Sequence, residues 1–280
     1  MNVPLITNIS DTARWVAVYR AWESARADAL FLDPFADRLA GPRGRAIATM
    51  MPRQARSGWP LVVRTKLIDD LVLACVAEGC GCVANLAAGF DTRPYRLALP
   101  ATLQWIEADL PAMIEEKQRL LAGAQPLCRL SREAVDLTDA AARGAFLDQL
   151  QAQPIKVLVI TEGLLIYLEE AVVRALATDL AARSQLHWWI LDLAGPGLLR
   201  MMQRRMGSQL ALAPMKFAPP SGVGFFESYG WRAPDIHSLF RAAARLRRLP
   251  PLLWPLAMFP DPDPRRPGAA RWSAVVRLSR

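Results

Sequence analysis

The spacing of apolar positions changes character near residue 79. Upstream it is helical: Trp15, Tyr19 and Trp22 recur at i, i+4 and i+7 over 10–26, and Ser10 or Asp11 is placed to cap the start. "DPFADRLAG" follows as a short helix, with Asp33 as cap, Pro34 in the first turn and Gly41 as stop. Val63, Leu67, Leu71 and Ala74 line one side of a third helix over 60–78. The pattern predicts helices and no strand in this part of the chain.

Downstream, "CVANLA" (82–87), "LQWIEAD" (103–109), "KVLVITE" (156–162) and "LHWWILDL" (186–193) are short apolar runs rich in β-branched or aromatic residues. Helical patterns such as "PAMIEEKQRLLAG" and "EEAVVRALATDLAARS" separate them. Runs apolar on both faces that alternate with helices form a parallel sheet covered on both sides. The predicted class is α/β, a Rossmann-like, doubly wound, mostly parallel sheet. "RWSAVVRLSR" reads as a last strand at or near an edge, and the Met-, Pro- and Gly-containing stretch after Gly195 as an inserted lid. One domain is expected over 1–280: an N-terminal helical lid (1–78), a core (79–195), a lid insertion (196–233) and the end of the sheet (234–280).

Composition narrows the class. With 280 residues, 52% hydrophobic and 21% charged, the chain is globular. Its longest apolar run, "VLVITEGLLIYL", contains Glu162 and stops at Glu169, short of the ~20 residues a membrane span needs. The N-terminus has no basic region followed by an apolar block, so a cytoplasmic location and no membrane partner are expected. The net charge of +8 rests on scattered arginines, since only four residues are lysine. "RAAARLRRL" at 241–249 reads as the solvated side of one helix, and no nucleic-acid partner is expected. Cys75, Cys80, Cys82 and Cys128 lack the paired spacing of a zinc site, which leaves reduced, mostly buried thiols and no metal.

In an open parallel sheet, ligands bind beyond the carboxyl ends of the strands. After the first strand comes "NLAAGFDTRPYRL": one glycine, Gly89, and a carboxylate, Asp91, where a dinucleotide turn would carry three glycines. Asp91 repels a pyrophosphate but not an ammonium group. Asp109, 20 residues past Gly89, stands where such folds place an acid for a ribose diol; capping the next helix is its structural alternative. Asp136 in "VDLTD" is placed to meet an adenine edge or to cap a helix. Glu162 breaks an apolar run and needs either the ligand crevice or an arginine, Gly163 permits close backbone approach, and Arg64 could hold a carboxylate bidentately or pair at the surface.

In this order and at these separations, "RTKLIDD", "NLAAGFDTRPYRL", "IEADLPAMIEEK", "VDLTD" and "TEGLLIYL" resemble the leucine carboxyl methyltransferase family, including its bacterial members of natural-product metabolism. The resemblance spans about 12–192, with a weaker echo in "FFESYGWR". It implies the class I S-adenosylmethionine-dependent methyltransferase fold, S-adenosyl-L-methionine as cofactor and S-adenosyl-L-homocysteine as product. It also implies roles: Arg64 on the methionine carboxylate, the turn around Gly89 along the methionine part and Asp109 at the ribose, with Ala87, Asp91 and Leu110 also among the cofactor-binding residues. Asp136 and Leu137 would border the adenine, and Glu162 and Gly163 would lie near the methionine ammonium. Arg20 matches a basic position on the family's lid helix. The chain departs from the pattern at Ala87, where the family usually carries glycine.

Methyl transfer from a sulfonium is an in-line displacement in which alignment can supply about 7–11 kcal/mol, so no catalytic side chain is obligatory. None stands out: His187 reads as a core histidine and His237 as helical and exposed. That favours an acceptor already ionised, a carboxylate or acidic hydroxyl of a small, fairly apolar metabolite. Tyr19, Arg20, Tyr167 and Met202 are the candidates for substrate contact, within a lid that also carries Met201, Met206 and Met215. A homodimer is left open. The other readings are a methyltransferase for a protein C-terminal carboxylate, an NAD-dependent oxidoreductase disfavoured by the missing glycines, and a non-catalytic cofactor-binding module.

Overall fold

Seven strands form one sheet in the order β3-β2-β1-β4-β5-β7-β6. In chain order they are β1 (Cys80–Leu86), β2 (Gln104–Asp109), β3 (Arg129–Ala134), β4 (Lys156–Thr161), β5 (Leu186–Ala194), β6 (Arg232–Ser238) and β7 (Ser273–Ser279). The computed structural model describes residues 6, 9–51, 57–152, 154–206 and 212–280. Strands β1 to β5 pair in parallel, and β7 runs antiparallel between β5 and β6. The helices are α1 (Ile9–Ser24), α2 (Ala36–Met50), α3 (Trp59–Ala77), α4 (Arg93–Arg96), α5 (Pro111–Leu120), α6 (Ala140–Gln151), α7 (Glu170–Ala181), α8 (Pro196–Met206), α9 (Gly224–Glu227) and α10 (Leu239–Arg245).

Alternation along the strands divides the core in two. Cys82, Ala84 and Leu86 face Phe146 and Leu147 of α6 and Val173 and Leu176 of α7. Their neighbours point the other way: Val83, Leu158 and Ile160 meet Val63, Leu67 and Ile68 of α3 and Ala242 of α10. Each such apolar side chain contributes roughly 1.5–3 kcal/mol by leaving water. A third cluster joins Trp15 and Tyr19 of α1 to Leu39 and Ile47 of α2 and Phe90 of the turn after β1. The N-terminal helices are thereby tied to the ligand end of the sheet.

The α/β class and the four internal strands match the apolar pattern. Two further expectations gain detail and one needs correction. Gly41 ends the short helix as expected, at a non-helical φ of +58°, and a second helical stretch begins at once with Pro42 and runs to Met50 behind the kink. The last strand lies near an edge, as expected, one place inside it, and the edge strand is β6. His237 is half-buried in that strand rather than helical. The boundary expected at 233/234 falls inside β6, whose polar "RAPDIHS" hides the strand period, as "RLSREA" does for β3. Of the expected lid, α8 and α9 are described; the side chain of Met206 and residues 207–211 lie outside the described residues. No helix among the described residues is long and apolar enough to cross a membrane.

Candidate functional site

The strand order reverses between β1 and β4, and a cavity of about 1050 Å³ opens beyond their carboxyl ends. Small-molecule pockets span roughly 300–1,000 Å³, so this one has room for a cofactor together with a second molecule. Acids from successive strands reach it: Asp91 after β1, Asp109 ending β2, Glu162 after β4 and Asp192 on β5.

The turn after β1 is held by hydrogen bonds to the next strand. The Ala87 amide donates to the Ala108 carbonyl at 2.7 Å, the Gly89 amide to Asp109 Oδ2 at 2.7 Å, and the Leu110 amide to Asp109 Oδ1 at 2.8 Å. Burial pushes the Asp109 carboxyl above its ordinary range against the pull of those two amides. Gly89 takes φ +46°, which its lack of a Cβ allows, but Ala87 takes φ +52° with a methyl in place. Left-handed backbone costs a non-glycine residue about 1–2 kcal/mol. Replacing Ala87 with glycine removes that strain and adds about 0.4–1 kcal/mol of unfolded-chain entropy, so we expect stability to stay level or rise by up to ~1.6 kcal/mol. Urea unfolding checks this; a loss beyond 2 kcal/mol on the same scale would show that the methyl's packing against the core outweighs its strain.

Below the turn lies a network of charges. Arg93, 1% exposed, donates from Nε to Asp69 at 2.7 Å and from Nη1 to Asp91 at 2.7 Å and Glu162 at 2.8 Å. Arg96 grips Asp69 with both terminal nitrogens at 2.6 and 2.8 Å. Arg64 bridges two strands, its Nε to Glu162 at 3.0 Å and its Nη1 to Asp192 at 3.1 Å, while the Gly163 amide donates to Asp192 at 2.6 Å. Gly163 sits at φ +65°, and a Cβ there would stand 3.4 Å from Arg64 Nη1.

Burial is the strongest single influence and opposes ionisation of Asp91 and Glu162, but the combined pull of Arg93, Lys117 and Arg96 at Asp91 and of Arg93 and Arg64 at Glu162 outweighs it, and both carboxyls lie below their ordinary range. Lowered folded-state values mean that this stabilisation is complete above the unfolded range of about 4 and disappears as pH falls through the depressed values. The urea midpoint is therefore expected to hold from pH 7 to about 5 and to drop steeply below about 4. A midpoint flat down to pH 3 would contradict this coupling.

Ten of the residues singled out in the sequence line the cavity: Arg20, Arg64, Ala87, Gly89, Asp91, Asp109, Glu162, Gly163, Tyr167 and Met202. Four do not. Tyr19 is buried behind the wall, its hydroxyl accepting from Trp15 Nε1 at 3.1 Å. Leu110 is 41% exposed ahead of α5, and Leu137 packs in the core behind the sheet. Asp136 closes its own turn by accepting from the Thr138 amide and hydroxyl, and it is Thr138 that lines the cavity. Arg20 reaches the wall but is engaged by Asp33 at 2.8 Å and the Phe90 carbonyl at 2.6 Å, where it secures the turn. Asp192 escapes the sequence reading although it ends an apolar run in the same way as Glu162. Trp15 and Met113 escape it as lining residues because each looks like an ordinary helix-face residue.

The charge count fixes what this floor can hold. Asp69, Asp91, Asp109, Glu162 and Asp192 face Arg64, Arg93 and Arg96, so the region stays net negative even with Asp109 protonated. A pyrophosphate is repelled there, whereas a ligand carrying ammonium or sulfonium charge is attracted. Arg64 Nη2 has no hydrogen bond to the described residues, so both of its N–H groups remain for a ligand carboxylate. Cation, carboxylate and diol acceptor are the donor set that an amino-acid-bearing nucleoside requires.

Known proteins agree. The family profile described as leucine carboxyl methyltransferase matches residues 13–181. A candidate S-adenosyl-L-methionine-dependent methyltransferase of Mycolicibacterium smegmatis is 35% identical over 257 residues, covering 81% of this chain and 85% of that one. Another, from Streptomyces coelicolor, is 32% identical over 252 residues, covering 85% and 87%. Among solved structures, a candidate methyltransferase from Thermobifida fusca superposes with TM-score 0.60 at 13% identity, covering 97% of this chain and 94% of that one. A DUF574 family protein from Streptomyces avermitilis gives 0.57 at 14%, covering 96% of each. The net-negative, glycine-turned floor is thus set in a chain that belongs to the leucine carboxyl methyltransferase family, a class I S-adenosyl-L-methionine-dependent methyltransferase.

Proposed function

We propose that this enzyme methylates an oxygen, a carboxylate or acidic hydroxyl, on a small and fairly apolar natural-product metabolite in the cytoplasm. The observation that carries this reading is the composition of the cavity wall. Opposite the charged floor stand Trp15, Leu198, Met201, Met202, Met215 and Leu253, an adaptable apolar surface suited to an irregular hydrophobic molecule.

Neither His187 nor His237 lines the cavity. Burial pushes the thiols of Cys75, Cys80 and Cys82 up to about 12 and that of Cys128 to about 11, and none of the four reaches the wall. Burial also raises the phenol of Tyr167, which keeps its proton and can donate a hydrogen bond to an acceptor oxygen. The carboxylates on the floor are engaged by arginines or amides. An acceptor that arrives already ionised needs no base from this set.

In the same reading, Arg64 Nη2 takes the methionine carboxylate and Asp109 the ribose hydroxyls. Glu162 and Asp192 hold Arg64 in place, and the turn from Ala87 to Asp91 approaches the methionine backbone. Bound there, S-adenosyl-L-methionine supplies an electrophilic methyl group, leaving S-adenosyl-L-homocysteine, and the displacement needs no metal. The wall of α8 excludes water and aligns the acceptor.

The test is transfer of a radiolabelled methyl group to a panel of aromatic acids, phenols and polyketides, with base hydrolysis to distinguish esters from ethers. Labelled ester or aryl ether is the expected product. Transfer only to amines or carbon, or only to a protein C-terminus, would overturn the proposal.

A further inference from the structure

The 3₁₀ segment Pro251–Met258 displays apolar surface that a water-facing loop has no reason to carry. Leu252 is 90% exposed, Met258 87% and Phe259 67%, with Trp254 and Leu256 about half exposed beside them. The segment is anchored from below: Trp254 Nε1 donates to the Leu249 carbonyl at 3.2 Å, and Leu253 and Ala257 pack on the core. Leu253, Leu256 and Phe259 also line the cavity, so the apolar surface continues from its wall to the outside of the molecule.

Around this strap the charge is one-sided. Residues 241–271 contain seven arginines and two aspartates. Arg241 pairs with Asp261, Arg265 with Glu227, and Arg248 with Glu23 and Asp28. Arg245, Arg247, Arg266 and Arg271 are exposed and have no carboxylate partner among the described residues.

We propose that the strap docks on a bilayer surface bearing anionic head groups, with the apolar residues in the acyl boundary and the arginine rim against the phosphates. Interfacial segments bind by burying an apolar face and adding electrostatic attraction, and they need no membrane span. The expectation that no membrane takes part rested on the lack of a spanning run and of a secretory signal, neither of which an interfacial segment needs. A second copy of this chain is a poorer occupant, because a two-fold contact here sets the arginine rim against itself. Such docking would open the cavity toward the phase in which an apolar acceptor dissolves. That last consequence rests on the proposed acceptor; the docking itself does not.

The experiment is co-sedimentation of the full chain with vesicles of equal parts phosphatidylglycerol and phosphatidylcholine, compared with phosphatidylcholine alone. Binding to the mixed vesicles is expected, weaker on the neutral ones and falling with added salt. Leu252→Ser with Met258→Ser should lower partitioning at least ~tenfold with the melting temperature unchanged, since neither side chain supports the fold. Arg245→Gln with Arg266→Gln should lower it by about tenfold on anionic vesicles only. The proposal is overturned if the chain stays in the supernatant, if the variants bind like the parent, or if sedimentation velocity shows a dimer that the leucine–methionine double variant dissolves. No methyl transfer is read, so failure here leaves the acceptor assignment standing.

Discussion

Substituting methionine for Arg93 is expected to destabilise the protein by about 3–5 kcal/mol, the range seen when one partner of a buried ion pair is removed. For a chain of this size that is a fall of roughly 10 °C in Tm. The cause is the charge left behind. Asp69, Asp91 and Glu162 share this one guanidinium, and the Asp91 and Glu162 carboxyls each lose the arginine that does most to hold them ionised. Lysine should rescue little, because a single ammonium cannot replace a planar fork that reaches three carboxylates. The deficit should also narrow at low pH, where the stranded carboxylates take up protons and the parent loses its own ion-pair stabilisation. Thermal unfolding followed by circular dichroism at pH 7 and pH 4 measures both effects. A deficit under ~1 kcal/mol at pH 7 would mean that water reaches the network and the arginine is dispensable.

Asp109→Ala should lower S-adenosyl-L-methionine affinity at least ~100-fold. Hydrogen bonds to a charged acceptor are worth about 1.5–3 kcal/mol, and in the proposed placement two ribose hydroxyls would lose theirs. The substitution also frees the Gly89 and Leu110 amides that fix the turn. Asp109→Asn would be no remedy, since the NH2 group of the new side chain must face one of those two amides. Calorimetric titration checks this, and unchanged affinity would remove Asp109 from the site. The same titration with NADH should give no heat, because the floor is net negative where a pyrophosphate would lie.

The sequence made the parallel core legible because β1, β2, β4 and β5 are buried on both faces, with β1, β4 and β5 mostly apolar and β2 carrying Trp105, Ile106 and Ala108 between its polar residues. β3 and β6 escaped it for the opposite reason. In "RLSREA" and "RAPDIHS" charged or polar residues dominate, and the strand exists because a neighbour supplies its hydrogen bonds. Among the candidate site residues, those at strand ends fell on the cavity wall, since topology alone carries such positions to the crevice. Those chosen from neighbouring sequence did not, because Tyr19, Leu110 and Leu137 sit one side chain away from residues that line it. The partners of Arg64 were only half visible. Glu162 announced itself by breaking an apolar run, but Asp192 lies far along the chain, and only the β4–β5 pairing brings the two carboxylates to one guanidinium.

The antiparallel pairing of β7 with β5 has an evolutionary consequence. It sets Ser273 beside Ala194 and lets the Gly195 amide donate to the Trp272 carbonyl at 2.9 Å, so the segment between them, which adds β6 to the sheet's edge on its way, leaves β5 and returns on β7 at one place. That segment carries α8, the strap and much of the apolar wall. The charged floor, from Arg64 through Asp192, precedes it entirely. Within that stretch, α8 and the strap can diverge between relatives without disturbing the floor, while β6 and α10 stay bound to the core they pack on. The chain is in this sense a fixed reagent holder with a replaceable mould, and acceptor choice can drift while the chemistry stays constant.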